Sequence, residues 1–535
     1  MEEGQGLTTG GIFEAYAAGE AAEFFPGSFA RSEDWERVRR VARPLPPGIA
    51  AALETQNARY AGSPARTAHL AALRSGAAVV VTGQQTGLFL GPLYTLYKAA
   101  SAIRLARSLA ERWGHPVVPV FWLQTEDHDA AEIAVCHVAR GSADPLTLTI
   151  DVPDNGVPVA HRVLPDAVSG LIAALHEELG RLAHGEQHVE CLARHYRPGV
   201  GWADAFAGVL AELFADEGLV LLDPRDPALA PHGAAVHRRA LTEARPIAGA
   251  LIERSAALET SGWQTTVHVR ENAPLSFFHP DGPQSRRCRL AASDGGFTEV
   301  GSDRTHTLEA LLAVLDTSPM SFSTSALLRP ILQDTWLPTV AYVGGPAEVA
   351  YFAQLSPLYA AFDVAMPIVV PRARMRVVDE PARRALARRH LTASAVCRPQ
   401  DDVLAAARTA KPGEVDGAEI TRRVVDGIDR VLAEVSPMMH AAGDRATRGL
   451  EKTRGTMARA AEKLGHGYDE SRLHRDKDLM DDVARLQAKL FPGGVPQERF
   501  FGVPSFAARY GQRAFVKRVL AAAKPLATGI EDIEL

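Results

Sequence analysis

The chain is poor in cysteine and has no long apolar run. Its four cysteines, Cys136, Cys191, Cys288 and Cys397, stand far apart in 535 residues with no C-x-x-C spacing, which argues against a zinc ribbon, a redox pair or a disulfide framework. No uninterrupted apolar stretch reaches the roughly 18 residues of a spanning helix, and the opening MEEGQGLTTG lacks the apolar core of a secretory signal. A cytoplasmic protein with no membrane partner is expected. The net charge of -6 gives no overall basic footprint, so nucleic acid is not an expected partner either. Also missing are a G-x-G-x-x-G fingerprint and a Walker lysine: glycines stand at 83, 87 and 91, and Lys98 follows seven residues after the last. Dinucleotide binding of the usual kind and Walker-type phosphate cradling are therefore unsupported.

What is present is ordinary globular composition, 46% hydrophobic and 23% charged, with length for about two to four domains. Ala77–Thr82 (AAVVVT) is a continuous β-branched run, the pattern of a strand buried on both faces in a parallel sheet. After Gly91 the stripe Leu96, Ala99, Ile103, Ala106, Ala110 and Trp113 predicts a helix, with Pro92 as its first residue, that Gly114 and Pro116 stop. Val117–Trp122 is a second buried strand, so residues 77–122 form a β-α-β unit. GLVLLDP at 218–224 and Thr339–Val343 repeat the strand pattern. Residues 145–164 and 265–300 alternate, with turn clusters such as PDNG and HPDGP, and are expected to be β-rich insertions, whereas 171–215 between them reads mostly as helix.

From about 381 to 490 the composition shifts to Ala, Arg, Glu, Asp and Leu. Ile420, Val424, Ile428, Val431 and Val435 keep three- and four-residue steps, as do Ala442, Ala446, Leu450, Thr453, Met457, Ala460 and Leu464. Ser436-Pro437 is read as an N-cap and first residue, hence a helix restart, giving two helices in an antiparallel coiled-coil hairpin. Gly465–Gly467 is a weak point, and Leu479–Leu490 is expected to prolong the second helix. PGGVPQERF ends it, and a tail returns to the core.

Three clusters carry the chemistry. Thr82-Gly83-Gln84-Gln85 joins a buried strand to a helix, where amides and main-chain N–H groups can hold a carboxylate, phosphate or hydroxyl. Glu126-Asp127-His128-Asp129 follows the next strand. In an extended chain Glu126 and His128 share one face, and Asp127 and Asp129 the other; a carboxylate beside the imidazole suits general base work. A lone D-H-D lacks the spaced ligand set of a metal site, so no permanently held metal is expected. Gly344-Gly345-Pro346 with Glu348 and Tyr351 makes a second strand-to-helix corner, and Arg329 and Gln333 upstream offer a guanidinium to a carboxylate.

The segments VTGQQTGLFLGPLYTLYKA, PVFWLQTEDHD, LLRPILQD, YVGGPAEVAYFAQL and PQERF, in this order and spacing, resemble the bacillithiol biosynthesis family of cysteine ligases over essentially the whole chain. The resemblance implies an α/β fold: a Rossmann-like parallel-sheet core over 1–378 with insertions near 140–215 and 262–320. A helical coiled-coil domain over 379–494 and a C-terminal segment, 495–535, complete it. It implies a homodimer and a reaction joining the carboxyl of L-cysteine to the amine of glucosaminyl malate, with ATP and Mg2+ expected for carboxyl activation. It marks Gly83, Gln84, Gln85, Tyr94, Lys98, Arg329, Gln333, Gly344, Gly345, Glu348 and Tyr351 for substrate, and Glu126, Asp127, His128 and Asp129 for catalysis. Two other readings of the same residues are a metal-dependent amidohydrolase of small sugar amides and a non-catalytic coiled-coil scaffold.

Overall fold

The structure is a computed structural model and describes residues 11–140, 144–409, 415–475 and 477–535; the opening MEEGQGLTTG lies outside the described residues. The chain divides into two compact units, Met1–Arg376 with Glu498–Ile533, and Val377–Gln497 with Glu534–Leu535.

The first unit is built on a parallel sheet of β1 (Ala78–Gln84), β2 (Val117–Leu123), β3 (Val220–Leu222), β4 (Thr339–Gly344) and β5 (Ile368–Pro371). Their order is β5-β4-β1-β2-β3, a doubly wound arrangement in which the chain leaves β1 in one direction and later returns to its other side. All of β2, β3, β4 and β5 and six residues of β1 are buried, as their unbroken aliphatic runs require. Helix α1 (Tyr94–Trp113) crosses from β1 to β2, burying Leu96, Ala99, Ile103 and Ala106, and closes on Gly114 at φ 64°.

This helix starts two residues later than its sequence signals suggest. Pro92 is not its first residue but bridges Gly502, and Leu93 N donates to Phe501 O at 2.9 Å. The preceding turn, Leu88–Leu90, holds Phe89 and Leu90 at φ 50° and 74°, a backbone that large side chains adopt only when the surroundings impose it. Here the surroundings are Tyr196, whose ring meets Phe89 at 4.8 Å and whose hydroxyl accepts from Leu90 N at 3.3 Å, and Trp202, which donates to Thr86 O at 2.7 Å.

The insertions follow expectation in part. Residues 145–164 contribute one strand, Leu146–Thr149, paired with Val135–Val138, and are otherwise loop and a short helical turn. The second region forms an antiparallel sheet that runs past Val300: Phe322–Thr324, Ser276–Phe278, Cys288–Ser293, Gly296–Glu299 and Thr305–His306, in that order.

The second unit is helical, with a small core of Ala382, Leu386, Val396, Val403, Leu404, Leu479, Val483 and Leu486. Its longest elements, Gly417–Ala441 and Asp444–Arg475, form an antiparallel hairpin: Gly417 N donates to Asp469, Thr421 Oγ1 to Ala461 O, and Arg454 pairs with Asp429. Ser436-Pro437 does not restart a helix. Pro437 lies within the first helix near its end, Ser436 contacts His440 instead of capping, and the turn comes at Gly443, φ 96°. Nor is Gly465 a weak point. A Cβ there would stand 2.4 Å from Gly417 O, so glycine is what lets the two helices approach. Whether Lys477–Leu490 continues the second helix turns on residue 476, which lies outside the described residues.

Candidate functional site

The carboxyl ends of the parallel strands carry the polar residues, as expected of an open α/β sheet. Across that edge run Arg372 after β5, Gly344-Gly345 after β4, Gln84-Gln85 at the end of β1, Glu126–Asp129 after β2, and Asp223 with Arg225 after β3. The strand order reverses between β1 and β4, where two diverging connections leave a crevice.

An ion pair fills that crevice. Lys98, on the first turns of α1, reaches Glu348 on the helix Pro346–Phe352, and also donates to Gly83 O at 2.8 Å and Gln84 Oε1 at 2.7 Å. All three ammonium protons are thus committed. Glu348 also accepts from the Gly345 amide at 2.8 Å and the Tyr342 hydroxyl at 2.5 Å. Burial pushes Lys98 down and Glu348 pulls it back; burial pushes Glu348 up, yet Lys98 holds it below the usual carboxylate range. Behind the pair, Arg329 donates to Tyr351 at 2.6 Å, Tyr342 at 3.3 Å and Gln333 at 2.9 Å, and Gln333 donates to Asp334 at 2.8 Å. A hydrogen-bonded chain therefore runs from Gln84 through Lys98, Glu348, Tyr342, Arg329 and Gln333 to Asp334. Arg329 is 5% exposed and Gln333 fully buried, so in this structure they belong to that internal chain and present no guanidinium or amide at the surface. Tyr351 is half-buried, with its hydroxyl on Arg329.

In front of the ion pair lie groups that solvent reaches. The Gln84 amide donates to Glu132 at 3.0 Å and to the Tyr94 hydroxyl at 3.3 Å, and the Gln85 amide donates to Asp127 at 3.0 Å. Gly83 has no room for a side chain, since a Cβ would lie 2.8 Å from Trp122 O; β1 and β2 close on each other there and set Gln84 and Gln85 side by side with the Glu126–Asp129 turn.

That turn departs from the alternation expected of an extended segment. Glu126 and His128 do not share a face. Glu126 is 2% exposed and points into the inserted sheet, where Thr324 donates to its carboxylate through both N–H and hydroxyl, and Arg287 donates to its carbonyl. Burial pushes its carboxyl up. Asp127 is the partner of His128 instead, with Oδ1 3.4 Å from Nδ1, and accepts from the His128 amide at 2.8 Å. Burial pushes Asp127 up, but His128 and the Arg287 guanidinium, 3.7 Å away, carry it down to about 2. Asp129 is an N-cap, accepting from the amides of Ala131 and Glu132 at 3.1 and 3.2 Å. The structure thus brings together Gln84, Gln85, Tyr94, Asp127 and His128, sets Lys98, Gly345 and Glu348 behind them, and turns Glu126, Arg329 and Gln333 inward.

Several participants escape the sequence reading. Glu132 stands three residues after Asp129, the spacing of a capping box. Arg372 and Glu498 form a buried bidentate pair at 2.8 and 2.6 Å, and their signals are a position just past β5 and the PQERF segment. Arg287 and Thr324 carry no local signal, because only the inserted sheet brings them to Glu126. Among the described residues, no group of three His, Cys, Asp or Glu side chains is arranged to hold a metal ion, and no helix is long and apolar enough to cross a membrane.

The family model for the N-terminal Rossmann-like domain of bacillithiol biosynthesis BshC matches residues 8–373. The chain belongs to that family. Relatives include proteins named "Putative cysteine ligase BshC" from Koribacter versatilis, 35% identical over 86% of this chain and 85% of that protein, and from Salinibacter ruber, 31% identical over 91% and 89%. A third, from Geobacillus kaustophilus, is 30% identical over 89% of this chain and 88% of its own length.

Because a buried ion pair that loses one partner strands a charge, Lys98→Met or Glu348→Met alone should each cost about 3–5 kcal/mol of stability, and the double replacement less than their sum; urea unfolding of the four proteins checks it. Asp127, held below its ordinary value of 3.8, contributes stability above that value and loses it as pH falls toward 2. The advantage of wild type over Asp127→Asn should therefore be about 2 kcal/mol near neutral pH and shrink steadily below about pH 4. Unfolding midpoints measured from pH 7 down to 3 test this.

Proposed function

We infer that the chain is a ligase that joins the carboxyl group of L-cysteine to the amine of glucosaminyl malate in bacillithiol biosynthesis. Family membership supports the reaction class, and the observation that carries the site is the Asp127–His128 pair beside the Gln84 and Gln85 amides, at the edge of the sheet where ligands collect. The sugar amine is protonated near neutral pH and must lose a proton before or as it attacks. His128 is the base or amine-positioning group, with the Asp127 carboxylate 3.4 Å from its Nδ1. Gln84, Gln85 and Tyr94 offer neutral donors and acceptors to hydroxyl groups. Glu126 and Asp129 act by shaping the turn.

Amide formation from a free carboxylate in water is uphill, so the cysteine carboxyl requires activation, and ATP with Mg2+ is the proposed source. Among the described residues of this edge, Lys98, Arg329, Arg372 and Arg287 all have protein partners, and just ahead of α1 the Leu93 amide donates to Phe501 O. The protein is proposed to act in the cytoplasm as a homodimer through the helical hairpin, packed as a coiled coil, whose Val431, Met438, Met457 and Leu464 are exposed. Light scattering tests the dimer: wild type should weigh twice its chain mass and Val431→Glu/Met457→Glu once, and a monomeric wild type contradicts it.

The purified protein, given cysteine, glucosaminyl malate and ATP, should form the thiol product, seen by mass spectrometry, together with ADP or AMP. His128→Ala should lower the rate by about 10²–10⁴-fold, the usual worth of a general base. Absence of both product and nucleotide cleavage in wild type would refute the reading.

A further inference from the structure

A cavity with a mixed polar and apolar lining lies at the other edge of the parallel sheet. It has a volume of about 420 Å3 and is bounded by Thr339, the first residue of β4, by Asp363–Ala365 ahead of β5, and by Asp334, Arg43 and Arg239. These residues come from four separate stretches of the chain, so the cavity is a product of the tertiary fold and not of one loop.

Its charges are arranged in an unusual way. Asp334 is 5% exposed, yet its oxygens are held by neutral groups: the Gln333 amide at 2.8 Å and the Tyr359 hydroxyl at 2.5 Å, with Thr339 alongside. Burial pushes its carboxyl up to about 6, against which these neutral donors and the more distant Arg329 pull only in part. A buried carboxylate served by neutral groups is the complement of a ligand cation. The two arginines of the lining are only partly used. Arg43 donates one Nη to Thr335 O at 2.8 Å, and Arg239 donates Nε to Glu243 while its guanidinium rests over the Phe362 ring at 5.6 Å. Each keeps N–H groups for an anion, and the planar fork suits a carboxylate. Asp363 adds a second acid to the lining.

We propose that this cavity is a ligand site distinct from the Gln84–His128 cluster and that it takes a small zwitterion of the α-amino acid class. The carboxylate lies against Arg43 and Arg239, and the ammonium against Asp334. Arg43 and Arg239, the latter also paired with Glu243, stand with Asp334 and Asp363 around one cavity, and this mixture of both signs favours a molecule carrying both charges over a simple anion or a simple amine. The volume admits an amino acid with room for its side chain. The site is also the far end of the buried chain that begins at Gln84, so an ammonium seated on Asp334 meets a group hydrogen-bonded, through Gln333, to Arg329.

Isothermal titration calorimetry of the full chain with glycine, L-serine, L-aspartate and L-lysine, and with acetate and methylamine as single-charge controls, tests this directly. The expected result is saturable binding of at least one amino acid, retained in Gln84→Ala, weakened at least tenfold in Asp334→Asn and in Arg43→Gln, and absent with acetate or methylamine. Arg43 is exposed, so its replacement leaves the fold intact and keeps the test meaningful should Asp334→Asn unfold. No binding by any of the four amino acids, binding that survives Arg43→Gln unchanged, binding lost in Gln84→Ala, or equal binding of acetate each overturns the proposal. Since binding is read without turnover, the outcome does not depend on finding ligase activity.

Discussion

The Lys98–Glu348 ion pair is the interaction on which the polar edge of the parallel sheet depends. Two opposite charges, 5% and 18% exposed, sit where the sheet reverses direction, and each would be costly there alone. Pairing them ties two neighbouring elements to one far off in sequence: the end of β1 through Gly83 and Gln84 and the start of α1 through Lys98, joined to the Gly344-Gly345 corner through Glu348. The same pair determines which groups remain for a substrate. With Lys98 occupied, Gln84 turns its amide nitrogen outward to Tyr94 and Glu132, and the accessible side of the cleft is made of amides, a phenol, carboxylates and one imidazole. Such a surface recognises hydroxyls and amines better than phosphates, which is the chemistry of the amino sugar proposed as nucleophile.

The inserted antiparallel sheet has a comparable part. Thr324, from one of its strands, and Arg287, just ahead of another, hold Glu126 by its carboxylate and its carbonyl, and this turns the segment after β2 so that Asp127, and not Glu126, meets His128. An insertion between β3 and β4 thereby shapes a site built from β1 and β2. The guanidinium of Arg287, seated over the Phe277 ring at 3.8 Å, also helps to keep Asp127 ionised beside His128.

Much of this was legible in the sequence. Unbroken aliphatic runs located β1, β2, β3 and β4, because only strands covered on both faces can dispense with polar residues, and glycine and proline marked where they ended. The position of the polar clusters at strand ends was visible for the same reason. The faces were not. Alternation assumes an extended chain, and Glu126–Asp129 is a turn whose shape is imposed by residues 160 to 200 positions later. Arg329 and Gln333 look like ligand groups in one dimension, since nothing local announces the two tyrosines that enclose them. Ser436-Pro437 carries a helix-start signal that the helix overrides, and Gly465, a helix breaker by propensity, is a point of close helix contact. Propensity is a weak guide wherever tertiary packing outweighs it.

The central claim is that Gln84, Gln85, Asp127 and His128 receive the amino sugar. A crystal structure of the chain soaked with glucosaminyl malate tests it most directly. The expected result is the sugar amine within about 2.6–3.2 Å of the His128 imidazole, the reach of a proton transfer, with sugar hydroxyls on the Gln84 and Gln85 amides. Well-defined sugar density elsewhere on the protein, with His128 and both glutamines untouched, would contradict it.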